Sequence, residues 1–420
     1  MSPTKTLQML FDAAVAAAQP QLRIPDFLPA PTLGRTVVIG AGKSAAAMAA
    51  AVEQAWSGPL EGLVVTRYGH HAETQHIKVL EAAHPVPDAQ GMAAATQILD
   101  LVTSLDEIDL VICLISGGGS ALLTLPPVDM ELATLIDINR QLLRSGADIG
   151  EMNAVRKSLS RSSGGRLAAA AYPAKVVSLI ISDVPGDNLP AIASGPTVGD
   201  TVTTATALKI IDKYDLQVPE TVLTYLAEDP DPVIQPEDIR LSTTTNHLIA
   251  TPQQSLEAAA QCARDLGYTP LILGNAIEGE AKEVGIVHAG IARQVRQYGQ
   301  PLAPPCVILS GGETTVTVTG DAGKGGRNSE FLLSLAIALN GLANVWAIAC
   351  DTDGIDGSED NAGAMITPAI LQAGRDQGLF ASDFLAHHDS YSFFQALGAL
   401  VQTGPTLTNV NDFRAILIDS

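Results

Sequence analysis

An unbroken apolar run that ends in a glycine- or polar-rich turn, with alanine- and leucine-rich stretches between the runs, recurs through the first half of the chain. It restricts the fold more than any other feature. Arg35–Gly40 (RTVVIG) leads into AGKSAAAMAAAVEQAW, Leu60–Thr66 supplies a second run, Leu110–Leu114 ends in the loop Ser116–Ser120, and Val176–Ile181 ends in SDVPGD. Strands that are apolar at every position are buried on both faces, and strands alternating with helices form parallel sheets covered on either side. The fold class expected is α/β with three-layer α/β/α architecture, the first sheet mostly parallel and Rossmann-like. Ligands of such sheets bind beyond the carboxyl ends of the strands, and each of these glycine-rich loops falls at such an end.

At 420 residues the chain exceeds what one core of about 250–300 residues usually supports, so two domains are expected. Between Asp200 and Arg240 the sequence turns acidic and proline-rich (Pro219, Pro230, Pro232, Pro236), which reads as a helix followed by a connector. The boundary is placed at 238/239, giving an N-terminal Rossmann-like domain over 1–238 and a second α/β domain over 239–420. The last ~25 residues are expected to pack back on the first domain. In the second domain TTTNHLIA reads as a strand, followed by a helix from about Ser255 to Leu266, the strand YTPLILG, a helix from about Glu280 to Tyr298, and two strands around a glycine turn in PCVILSGGETTVTVTG. Thr314–Thr319 alternates Thr with Val, the pattern of a half-exposed antiparallel strand, so the second sheet is expected to be mixed. Aromatic residues make up only 4% against 37 glycines, which suits close packing of helices on strands.

A formal net charge of −21 repels nucleic acid and anionic membrane, so neither is expected as a partner. No run of about 18 uncharged apolar residues is present, so no membrane span is expected. Leu7, Leu10, Phe11, Ala14 and Val15 have helical spacing, Asp12 interrupts them and no cleavage site follows. Met1–Ala18 is therefore read as an amphipathic helix and not as a signal peptide. Cys113, Cys262, Cys306 and Cys350 form no ligand cluster. Three of them sit in apolar runs as inert thiols, which suits the cytoplasm.

In so acidic a chain, cations inside glycine-rich loops carry unusual weight. Gly40-Ala-Gly42-Lys43-Ser44 follows a strand and opens a helix, where converging amides and the helix dipole favour an anion. It also matches the dinucleotide fingerprint loosely, through Gly40, Gly42 and Ala45. It is not a Walker A loop, whose first glycine would fall at Val37. Ser116-Gly117-Gly118-Gly119-Ser120 repeats the arrangement and lacks the GxSxG spacing of a serine hydrolase. Ser310-Gly311-Gly312-Glu313 and Gly323-Lys324-Gly325-Gly326-Arg327-Asn328 form two further loops, the second suited to a polyanion. A tight turn with a solvated charge is the alternative for Gly40–Ser44, and a surface turn with solvated charges for Gly323–Asn328.

Asp183 and Asp187 follow one apolar strand, and Asp351, Asp353, Asp356 and Asp360 follow another. Clustered carboxylates repel one another, and Mg2+ with substrate phosphate would relieve them. The second run fails the calcium-loop spacing, since Ala362 stands where Glu is required. Turn capping is the competing reading; it fits Asp200 and Asp360 and is weaker for Asp183, Asp351 and Asp353. His84 and the run His387-His388-Asp389 are candidate proton handlers, with a structural role as the alternative.

VIGAGKSAAAMA, HPVPD, SGGGSALL, MNAVRKSLSRSSGGRLA, SDVPGDNLPAIASGPT, LSGGETTVTVTG, GKGGRNSEF, DTDGIDG and TGPTLTNVNDF together resemble the class II glycerate kinases, the glycerate 2-kinase family with a C-terminal MOFRL domain. The stretches spread over about residues 35–415, nearly the whole chain. Asn275 stands where relatives are expected to carry Asp, and Ser329 occupies a variable place.

The resemblance implies an ATP- and Mg2+-dependent enzyme making 2-phosphoglycerate from D-glycerate, with its site in a cleft between the two domains and Lys43 and Arg327 as key cations. ATP phosphates are expected on Gly40, Gly42, Ser116, Gly117, Gly118, Gly119, Ser120, Ser310, Gly311, Gly312, Glu313, Gly325, Gly326 and Asn328. Asp187, Asp351 and Asp353 are the expected Mg2+ ligands, and Asp183 or Asp351 the base. Arg156 and Ser120 are expected to hold the glycerate carboxylate, which a planar guanidinium matches. Two readings compete: an NAD(P)H-dependent hydroxypyruvate reductase, which needs a ribose carboxylate such as Glu53 or Glu61, and a non-catalytic sugar-phosphate sensor. A homodimer is left open.

Overall fold

The computed structural model describes residues 1–318, 320 and 323–420. The first sheet contains β1 (Thr36–Ala41), β2 (Glu61–Arg67), β3 (Ile77–Ala82), β4 (Leu110–Ile115), β5 (Lys175–Ile181) and β6 (Thr244–Ala250), in the order β3-β2-β1-β4-β5-β6. Pairings of β1 with β2 and β4, of β2 with β3 and of β4 with β5 are all parallel. β1 and β4 are buried at every position, as their uninterrupted apolar runs require. The strand order reverses direction between β1 and β4. That reversal opens a crevice at their carboxyl ends, where doubly wound sheets bind ligands.

TTTNHLIA corrects the expected boundary at 238/239. It forms β6 at the edge of the first sheet, and Val176 N donates to Thr243 O at 3.0 Å beside it. Nor is the proline-rich stretch before it only a helix and a linker. Helices Thr204–Lys213 and Glu220–Glu228 pack with Leu132–Ser145 and Ile149–Ser158 around Leu135, Ile138, Leu142, Val155, Ile211 and Leu226. Pro219 stands at the N-cap of a helix, where its missing N–H costs nothing, so here proline marks a helix start and not the end of structure.

Eight further strands follow: β7 (Thr269–Gly274), β8 (Gly279–Glu280), β9 (Cys306–Gly312), β10 (Thr314–Thr315), β11 (Val345–Asp351), β12 (Gly363–Ile366), β13 (Leu400–Val401) and β14 (Asp412–Ile418). Six of them form the second sheet, ordered β13-β12-β11-β14-β9-β7. β9 runs parallel to β7 and antiparallel to β14, so the sheet is mixed, as expected. Its side chains alternate between two cores. Cys306, Ile308, Ile416 and Ile418 pack with Val295 and Phe331 of helices Ala281–Tyr298 and Arg327–Leu339. Val307, Leu309, Phe413 and Leu417 pack with Leu7, Phe11 and Leu256 of helices Pro3–Ala17 and Pro252–Asp265. The two-residue period of a strand thus builds the three layers directly.

Two expectations change here. The N-terminal helix belongs to the second compact unit (Met1–Gln19, Asp183–Gly186, Ala250–Ser420) and not to the first (Pro20–Ser182, Asp187–Ile249). β14 lies between β11 and β9, so the last residues are central to the second sheet. The Thr/Val alternation yields only β10, which pairs parallel to β8, since Thr314 and Thr315 meet Gly279 and Glu280; Thr319 lies outside the described residues.

Candidate active site

In the first unit, the turns after β1 and β4 interlock. Lys43 N donates to Gly117 O at 2.9 Å, Ser44 N to Ser116 Oγ at 3.0 Å, and Ser116 N to Ala41 O at 3.1 Å. Gly42 has φ +138°, and a β-carbon there would overlap the Oγ and carbonyl oxygen of Ser116. Gly118, at φ +81°, lies between His84 and Lys43: its β-carbon would fall 2.9 Å from His84 Nε2 and 3.4 Å from Lys43 Cγ. Only glycine tolerates both the left-handed backbone and this approach. The predicted phosphate residues Gly40, Gly42 and Ser116 to Ser120 therefore come together with Lys43.

Beside them opens a cavity of about 400 Å³, lined by His84, Gly118, Ser120, Asn139, Arg156 and Ser194 and walled on one side by Leu125, Leu135 and Ile136. Ser120 Oγ lies 2.8 Å from Ser194 Oγ. Ala193 and Ser194 hold positive φ (50° and 61°), a backbone conformation that costs a residue with a β-carbon about 1–3 kcal/mol. Arg156 Nε donates to Asn139 Oδ1 at 2.8 Å, and no carboxylate pairs with it among the described residues. Burial presses its pKa below the usual arginine value, although the group stays cationic. A half-buried guanidinium with neutral partners and serine hydroxyls around it is suited to a small carboxylate.

Arg327 organises a second constellation, in the C-terminal unit. Its Nε donates to Asp412 Oδ1 (2.7 Å), Nη1 to Glu313 Oε1 (2.7 Å), and Nη2 to Asp351 Oδ2 (2.8 Å) and Asn411 Oδ1 (3.2 Å). Burial works against its charge, but Asp412, Asp351 and Glu313 outweigh that and hold its pKa well above the usual value. Asp412 is fully buried and also accepts from Arg414 and from Asn328 Nδ2 (2.8 Å). Burial would raise its pKa, yet the two guanidinium groups hold it below the ordinary range. Asn411 Nδ2 in turn donates to Asp183 O at 2.5 Å, and Asn409 Nδ2 to Asp183 Oδ2 at 3.2 Å.

Other predicted contacts in this unit are taken by the chain itself. Ser310, Gly311 and Gly312 are buried in β9, paired with Arg414, Phe413 and Asp412, and form no loop; Ser310 Oγ lies 3.0 Å from His288 Nε2. Asn328 is fully buried, and Asp356 accepts from the amides of Asn328 (2.9 Å) and Ser329 (2.8 Å), capping the helix that begins at Arg327. β-Carbons on Gly325 and Gly326 would overlap Ser390 and Asp356. These glycines serve internal packing. Asp353 Oδ1 accepts from Ile355 N at 2.9 Å, an Asx turn.

Two family models match: a domain of unknown function, DUF4147, over residues 6–227, and the MOFRL family over residues 306–412. The glycerate 2-kinase of Pyrococcus horikoshii is 41% identical over 391 residues, 92% of this chain and 88% of that one. The crystal structure of a glycerate kinase from Thermotoga maritima superposes with a TM-score of 0.89 at 37% identity, covering 99% of both chains. The chain belongs to the glycerate 2-kinase family. A relative from Agrobacterium vitis, provisionally named a hydroxypyruvate reductase, is 53% identical over 423 residues, 100% of this chain and 95% of the relative.

Within this glycerate 2-kinase fold, sequence reasoning missed Asp412, Asn411 and Asn409 as partners of Arg327 and Asp183. They all lie in the TGPTLTNVNDF stretch, quoted above only for its resemblance, and three side-chain amides or acids in four residues at a strand entrance were the available signal. Ser194 and Asn139 were missed for another reason, because only the fold brings them to Ser120 and Arg156.

Proposed function

We propose that this glycerate 2-kinase family member transfers the terminal phosphoryl group of ATP to the 2-hydroxyl of D-glycerate, giving 2-phosphoglycerate and ADP. One observation carries the reading. Two interlocked glycine turns at the sheet's switch point hold Lys43 beside a cavity lined by Arg140, which pairs with Asp137, and Arg156, which has no acidic partner among the described residues. The turns suit phosphates and the cavity suits a small carboxylate. Arg156 would bind the glycerate carboxylate, with Ser120 and Ser194 on its hydroxyls. Lys43 would neutralise phosphate charge, and Arg327 the charge developing on the transferred group. The substrate oxygen forms the new bond to phosphorus as the bond to the bridging oxygen of ADP breaks, and the hydroxyl proton passes to a carboxylate. Asp183 and Asp351 are the candidates for that role; Asp183 Oδ2 accepts from Asn409 and Asp351 Oδ2 from Arg327.

Among the described residues no three His, Cys, Asp or Glu side chains gather as a metal cage. Mg2+ is commonly held by one or two carboxylates together with nucleotide phosphates. Asp187, whose Oδ1 is buried without a hydrogen-bond partner, fits that use, with Asp351 and Asp353 as the further candidates. A cation there would supply charge neutralisation on the phosphates.

The reductase reading draws on the loose dinucleotide match at Gly40–Ala45 and on the provisional name of the Agrobacterium relative. Its ribose carboxylate is lacking at both candidate positions. Glu53 accepts from Gln75, His76 and Ile77 N, each at 2.7 Å, and Glu61 begins β2, the wrong end, paired with Arg35 at 2.8 Å. Buried thiols Cys113, Cys306 and Cys350 suit a reducing compartment, and the cytoplasm is the proposed location; among the described residues no helix is long and apolar enough to cross a membrane. The deciding test measures 2-phosphoglycerate from D-glycerate, ATP and Mg2+ beside NADH and NADPH oxidation with hydroxypyruvate. ATP-dependent product without reduced-cofactor consumption is expected; the reverse result overturns the kinase.

A further inference from the structure

We infer that Glu313 is an exchangeable counter-ion of Arg327, holding the Nη1 edge of its guanidinium until a phosphoryl oxygen takes its place, while Asp412 and Asp351 remain as fixed pins. The inference rests on the reading of Arg327 as the cation that meets the transferred phosphoryl group. A guanidinium has five N–H donors. Four are bonded here, to Asp412, Glu313, Asp351 and Asn411. The donor left over sits on Nη1, the nitrogen that Glu313 engages. A bidentate grip on a phosphoryl group needs a second donor, and Arg327 must release one of its partners to supply it.

The three carboxylates are not equally held. Asp412 and Asp351 have side chains 0% and 6% exposed, against 47% for Glu313. Asp412 also accepts from Arg414, Asn328 and Thr314, so moving it would deprive the buried Arg414 of its ion-pair partner and Arg327 of one of its three. Asp351 Oδ1 accepts from Asp353 N at 3.1 Å. The Glu313 carboxylate, in contrast, has Arg327 as its partner and no other among the described residues. Exposed ion pairs contribute little and exchange readily. A phosphoryl oxygen offers Arg327 the same kind of charge-assisted bond that it loses. Glu313 stands at the single residue between β9 and β10, so it can turn towards solvent without disturbing either strand's pairing.

Glu313→Gln in the full-length enzyme removes the competing charge and keeps the side chain's size. Initial rates with varied ATP, at saturating D-glycerate and Mg2+, should show KM for ATP falling about three- to tenfold, while binding of ADP, which lacks the transferred phosphoryl group, should stay unchanged. A structural role for Glu313 would instead lower Tm and leave KM for ATP equal or higher. Asp412→Asn, which loosens a pin, should lower kcat roughly tenfold or more; if that variant does not fold, Glu313→Gln still decides the matter. Arg327→Ala separates the two levels. If it keeps near-wild-type turnover, the reading of Arg327 fails. If it abolishes turnover while Glu313→Gln leaves KM for ATP unchanged or raised, the exchange idea alone is overturned.

Discussion

The hydroxyl oxygen of Ser116 lies 3.0 Å from the amide nitrogen of Ser44 and joins the turn after β4 to the turn after β1. With Lys43 N bonded to Gly117 O, the two turns behave as one rigid cradle, and neither can be altered without moving the other. Preorganised amides of this kind need no rearrangement when negative charge arrives.

Gly42 is the tightest point of that cradle. Alanine there would combine a φ of +138° with overlap against Ser116, so Gly42→Ala should cost roughly 2–4 kcal/mol of stability and most of the activity. Thermal denaturation and initial rates check this together. A variant with wild-type Tm and turnover would mean that the two turns do not meet as described.

Lys43 bears on charge more than on packing. Lys43→Ala should lower kcat about 10²–10³-fold, with Tm shifted by no more than about 3 °C. Lys43→Arg keeps the charge with a different shape and should recover only part of the rate. Wild-type kcat in the alanine variant would remove Lys43 from the phosphate site.

The first unit was legible because β1 and β4 are apolar at every position and end on glycine turns, a local pattern that states strand, burial and loop at once. The second constellation was less so. Gly311 and Gly312 read as a turn, yet they continue β9 opposite Phe413 and Asp412, and Gly312 is required because Ile277 backbone fills the place of its β-carbon. That constraint comes from a residue 35 positions away. Asp412 is harder to place for the same reason, since its partner Arg327 is 85 residues distant and the polar cluster Asn409, Asn411 and Asp412 does not by itself name what it binds. Arg156 could be read because a cation stands out in an acidic chain; its neighbour Asn139 could not. The edge strand β6 was legible as a strand and misassigned to a sheet, since strand chemistry does not name its partner.

Arg156 should act on one substrate alone. Arg156→Ala should raise KM for D-glycerate about 30- to 100-fold, the loss of a charge-assisted pair, and leave KM for ATP within about threefold. Lysine cannot reproduce the planar fork held by Asn139 and should restore little. An equal rise in both KM values would show that the cavity does not distinguish the acid from the nucleotide.

His288 should set an acid limit on stability. Its Nδ1 lies 2.8 Å from Val284 O and must donate there, which leaves Nε2 to accept from Ser310 Oγ at 3.0 Å. The ring is therefore held neutral, and burial moves its pKa down from 6.5 to about 4. The unfolded chain takes up this proton first as pH falls. The stabilisation is thus fully present above about pH 6.5 and is lost between there and about pH 4, on the order of 3 kcal/mol in all. Denaturant unfolding of the wild type and His288→Gln across pH 4–7.5 isolates the contribution from the titrating carboxylates. The difference in stability between the two proteins should shrink as the pH falls through this window. A difference that stays constant would mean that folding leaves the His288 pKa unshifted, and one that widens towards acid that the folded protein favours the charged ring.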